Sequence, residues 1–69
     1  MTRYEITVEG QVGPLVTAAL EGFQTRPAPP GRSCLVGEVV DQVALTGVLG
    51  CLQDLHVEIC EVHRVDAPQ

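Results

Sequence analysis

From Arg3 to Glu9 every second residue is apolar: Tyr4, Ile6 and Val8 alternate with Arg3, Glu5, Thr7 and Glu9. A period of two marks a strand with one buried and one wet face. No other feature constrains the fold as much. A strand of this kind belongs to a sheet whose one face is covered by other elements while the other stays open. Gly10 ends the run.

Two stretches of helical spacing supply the cover. Val12-Gly13-Pro14 opens the first, with Pro14 at a first helical position where its missing N–H costs nothing. Leu15, Val16, Ala19, Leu20 and Phe23 follow at helical intervals, and Gly22 lies near the end, which predicts two to three turns. Asp41 is placed to cap the second helix by accepting a backbone N–H of its first turn. Leu45, Val48, Leu49, Leu52 and Leu55 then form one apolar stripe centred on Leu49, where an Asp is expected to unfold the chain. Gly47 and Gly50 lie off that stripe, and each costs about 1 kcal/mol relative to Ala; they are either tolerated there, the favoured reading, or let another backbone approach closely.

The remaining segments are strand-like or proline-rich. Cys34 to Val40 is β-prone and predicts a central strand, with either Cys34, Val36 and Glu38 or Leu35, Gly37 and Val39 facing outward. Residues 24–33 hold Pro27, Pro29 and Pro30, so they form a short edge strand or a plain loop. Either outweighs a proline-rich recognition ligand between two folded elements. His56 to Val65 reads as the last strand, with Val57 and Ile59 on one face and His56, Glu58 and Cys60 on the other. A change of parity at Val62 implies a bulge near Cys60-Glu61.

The resulting order is strand, helix, edge strand, strand, helix, strand. It predicts an α+β, ferredoxin-like two-layer sandwich with antiparallel sheet order 4-1-3-2 and two helices on one face. One domain is expected over residues 1–66, with a short tail at 67–69. The chain also resembles short uncharacterised bacterial proteins of high-GC organisms. The similarity lies in Tyr4-Glu5-Ile6, in Val39-Val40-Asp41-Gln42 entering the second helix, in Gly47, and in the closing Val62-x-Arg64-Val65. It implies the ferredoxin-like fold and supplies no activity.

Length and charge narrow the function classes. Sixty-nine residues leave room for one small domain with a marginal core, which usually needs a disulfide, a metal or a partner subunit. Leu, Ile, Val and Phe make up 21 of the 69, enough to fold. A net charge of −5 argues against nucleic acid and anionic membranes as partners. Three cysteines cannot all pair within one chain, and the start reads as a polar strand and not a secretory signal. Free thiols in a reducing cytoplasm are the expectation. Association with a copy of itself, as a homodimer, or with another protein is then the expected supplement to the core.

The open face is where function is expected. As a subunit interface it would present Glu5, Thr7 and Glu9 beside His56, Glu58 and Cys60. The last three, at alternate positions of one strand, are also the candidate metal ligands, although their bases would stand roughly 6.5–7 Å apart. A Cys with His and Glu nearby admits a small Cys-dependent enzyme, but no nucleophile elbow or phosphate-binding loop accompanies it. The loop Gly10-Gln11-Val12-Gly13 is the candidate small-molecule site, by analogy with ACT-like domains alone. The leading expectation is a small, non-enzymatic interaction or regulatory module that self-associates and needs no cofactor.

Overall fold

A computed structural model describes residues 2–28 and 30–65. Six elements run in the order β1 (Thr2–Glu9), α1 (Pro14–Ala19), β2 (Gln24–Ala28), β3 (Arg32–Val39), α2 (Gln42–Asp54) and β4 (Ile59–Val65). The expected tail at 67–69 lies outside the described residues.

The alternation of β1 sets up the sheet. Tyr4, Ile6 and Val8 are buried, and they lie opposite Gly37, Leu35 and Ser33 in an unbroken antiparallel pairing from Thr2–Val39 to Glu9–Arg32. The parity of β3 is therefore settled with Leu35 and Val39 inward and Cys34, Val36 and Glu38 on the open face. The polar member of the inner face, Ser33, is 5% exposed and donates its hydroxyl to the Gly10 carbonyl at 2.8 Å. Its burial is thus compensated by a hydrogen bond.

Both helices contribute to the core over this inner face: Val16 and Leu20 from α1 and its C-terminal cap, Leu45 and Leu52 from α2. Asp41 caps α2 as its sequence position implies, its carboxylate accepting the Ala44 N–H at 2.8 Å. Leu52 is fully buried, whereas Leu49, at the centre of the stripe by spacing, is only half-buried. α1 is shorter than expected. Leu20 leaves helical geometry at φ −110°, ψ 71°, and Gly22 turns the chain at φ 84°, so that Phe23 leads into β2 instead of extending the helix.

The ferredoxin-like two-layer sandwich expected from the element order, written 4-1-3-2, is corrected by the observed sheet and its cover. The sheet is a four-stranded antiparallel one ordered β2-β3-β1-β4. Counted from the β4 edge, these strands have the same neighbours, so the correction falls on the helical layer and on the class name built upon it. α1 is six residues long and buries Val16 alone within its span. The buried residues of the sheet all belong to β1 and β3, while β2 and β4 are largely exposed along their length. The class that holds is a small α+β domain whose helices shield two central strands.

Close packing shows where the sheet meets Phe23. A methyl group on Gly37 would lie 2.6 Å from Phe23 Cγ and 2.7 Å from Cδ1, so the ring rests directly on the glycine backbone. Gly37→Ala is expected to displace the ring and lower stability by about 1–3 kcal/mol. Leu52→Ala, which empties a fully buried site, should cost about 2–5 kcal/mol. Both are read from the urea midpoint followed by circular dichroism.

Candidate functional site

The face of the sheet turned away from the helices collects most of the chain's charge. Register determines which groups meet there. Thr7 lies between Cys34 and Glu61, and Glu5 lies between Val36 and His63. At one end of the central strands Arg3 faces Glu38; at the other Glu9 faces Arg32. β2 adds Arg26 next to Cys34 and Gln24 next to Val36. Three of the four arginines thus stand on one face, interleaved with glutamates.

The pairs are close. Arg32 Nε donates to Glu9 Oε1 at 3.1 Å, Arg26 Nη2 approaches Glu5 Oε2 at 3.7 Å, and His63 Nε2 approaches Glu61 Oε1 at 3.5 Å. All are at least one-third exposed, so water and salt screen them. The charges therefore contribute little to holding the fold.

Cys60 joins this arrangement through a bulge. Thr7 pairs with Glu61 and Val8 with Ile59, which leaves Cys60 as the extra residue of β4. The bulge also explains the sequence parity, because Ile59 and Val62 both end opposite core residues of β1, Val8 and Ile6. The displaced thiol donates to Glu9 Oε1 at 3.5 Å, so one carboxylate oxygen serves both Arg32 and Cys60. Burial pushes the Cys60 thiol above its ordinary range, and the hydrogen bond and charge of Glu9 push the same way against Arg32. The Glu9 bond likewise raises Arg32, which stays a cation. A thiol kept protonated is the reverse of an activated nucleophile.

The other residues singled out by sequence lie elsewhere. His56 is not on a strand but in the turn after α2, at φ 60°. Glu58 precedes β4, and its carbonyl accepts the Glu9 N–H at 3.0 Å. Only Cys60 of that trio sits in the sheet, because β4 begins at Ile59 and not at His56. Among the described residues no three of His, Cys, Asp and Glu are grouped to hold a metal ion. In the loop from Gly10 through Gln11 and Val12 to Gly13, the Gly10 N–H donates to the Gly31 carbonyl at 2.8 Å and its carbonyl accepts from Ser33. Gly13 serves as the N-cap of α1, and its carbonyl accepts from the Thr17 N–H. Val12 packs against the core. These backbone groups are engaged within the chain.

Sequence reasoning placed Arg3 on the outward face of the first strand and Glu38 on one of two possible outward faces of the third, but it did not single out Arg26 or Arg32. Arg3, Arg32 and Glu38 meet their neighbours through the β1–β3 register, whereas Arg26 reaches this face because β2 is a strand, which the prolines obscured; the signal was the polar alternation of Gln24 and Arg26 ahead of Pro27. A groove of about 510 Å³ opens where β2 stops short of the end of β3, lined by Arg3, Gln24, Arg26, Val36 and Glu38 with Gly22 and Gly37.

Among the described residues no helix is long and apolar enough to cross a membrane. A family model described as "Domain of unknown function (DUF8691)" matches residues 3–63. No curated protein and no solved structure matches the chain.

Glu9→Gln removes the negative partner of the Cys60 thiol and frees Arg32 to act on it. The thiol pKa should fall, so alkylation of Cys60 by iodoacetamide at pH 8, followed by peptide mass spectrometry, should run faster than in the wild type. An unchanged or slower rate would show that Glu9 does not control the thiol.

Proposed function

The chain belongs to that family of domains of unknown function, whose description carries no activity, and we propose from its own surface that it is a non-enzymatic protein-interaction module that self-associates. The observation that carries this reading is the open sheet face. It has half-buried Thr7, Cys34 and Val36 at its centre and pairs of opposite charge at the strand ends. A centre whose one charge on β1 and β3, Glu5, is approached by Arg26, inside a rim of paired charges, is the anatomy of an association surface. The size of the chain supports it, since so small a core gains from a second subunit. Interleaved glutamates leave no continuous positive stripe for a nucleic-acid backbone. Three free thiols fit a reducing bacterial cytoplasm.

A second reading is favoured by the groove at the end of β2. Its two guanidiniums, Arg3 and Arg26, with the Gln24 amide, suit a small molecule carrying a carboxylate. That would make the domain a regulatory ligand-binding unit.

Native mass spectrometry of the untagged, reduced protein separates the two. Twice the mass of the chain with nothing added is the expected result; a monomer carrying a small molecule would overturn the interaction reading in favour of the second. Cys60→Ser should leave both the fold and the association intact, because among the described residues the thiol makes one hydrogen bond, to a carboxylate already held by Arg32. Loss of the dimer in that variant would make the thiol part of the association mechanism.

A further inference from the structure

We propose that the partner of the open face is a second copy of the chain, turned over about a two-fold axis lying in the plane between the sheets. This rests on the interaction-module reading and specifies its geometry. The argument is one of sign and position. Arg3 and Glu38 are neighbours at one end of the central strands, and Glu9 and Arg32 are neighbours at the other. Along β1 the order is positive then negative; along β3, read in the same direction across the sheet, it is negative then positive. The four corners form a checkerboard of charge.

A checkerboard of this kind is complementary to itself when turned over. With the axis along the strands, Arg32 of one copy lies over the Glu9 position of the other and Arg3 over the Glu38 position. With the axis across the strands, Arg32 lies over the Glu38 position and Arg3 over the Glu9 position. Either way all four corners meet opposite sign. Had both arginines fallen on β1, an axis across the strands would have set like charge on like. Isologous contacts require this self-complementarity, and the corner register holds where the two sets of strands pack close to parallel, because Arg3 and Glu9 stand about 20 Å apart along β1 and an angle of about 30° would displace each end by roughly one strand spacing.

Burial favours the same arrangement. The corners lie at strand ends, where water still reaches them, so the desolvation that makes buried ion pairs costly is limited. Between them lie Thr7, Cys34 and Val36, small or neutral groups suited to the dry centre of the contact. Glu5, the one central charge on β1 and β3, is approached by Arg26 of its own chain at 3.7 Å.

Charge reversal in mixtures tests this. Arg32→Glu, Glu9→Arg and Glu38→Arg each place like charges over one another in the homodimer, and each should weaken association on the order of 100-fold while circular dichroism shows the fold retained. Arg32→Glu mixed with Glu9→Arg restores all four complementary contacts if the axis runs along the strands. Arg32→Glu mixed with Glu38→Arg restores them if it runs across. Recovery of a heterodimer in either mixture, read by native mass spectrometry, supports the proposal. A wild-type dimer that the three single substitutions leave intact, or that neither mixture restores, overturns the face-to-face geometry alone. A wild-type monomer at millimolar concentration overturns the interaction reading itself.

Discussion

Everything in this domain depends on the pairing of β1 with β3. It is the longest register in the molecule, and it does two things at once because a strand has two faces. Inward it aligns Tyr4, Ile6 and Val8 with Leu35 and Val39, the apolar floor on which both helices rest. Outward it aligns Arg3 with Glu38 and Glu9 with Arg32. A slip of one residue would send the apolar set to water and destroy the charge pattern in the same step. Core and surface are thus specified by one set of backbone hydrogen bonds.

The edges of the sheet carry the irregularities. Pro27 occupies β2, an edge strand, where a missing N–H donor does no harm to the interior ladder. Cys60 bulges from β4, the other edge, and turns its thiol toward Glu9. These features leave the two central strands regular, so the outer face between them remains an ordered grid. The fully buried residues of the sheet's other side belong to those same central strands.

Much of this was legible in the residues. The alternation of β1, the Asp41 cap, the apolar stripe of α2 and the parity change near Cys60 are local patterns, and each has a local cause. Other features escaped. Leu49 looked central by spacing, yet Leu52 is the fully buried residue, because what lies beneath a helix depends on its crossing over the sheet. His56 and Glu58 read as strand positions, but the left-handed turn at His56 delays β4 to Ile59. The spacing predicts a first helix of two to three turns, but α1 stops at Ala19 where Leu20 and Gly22 redirect the chain.

Sequence by itself determined the elements, their inward faces and the presence of a half-wet sheet, because period and capping are set by neighbours along the chain. Tertiary structure decided which charges meet. Arg32 and Glu9 are 23 residues apart and Cys60 and Glu9 are 51 apart, so their contact follows from strand order and register. It decided likewise that Phe23 lies on Gly37, since only the turn at Gly22 brings the ring onto a backbone without a Cβ. Long-range pairing converts a plain alternation of residues into a surface with a definite pattern of charge, and no local period encodes that pattern.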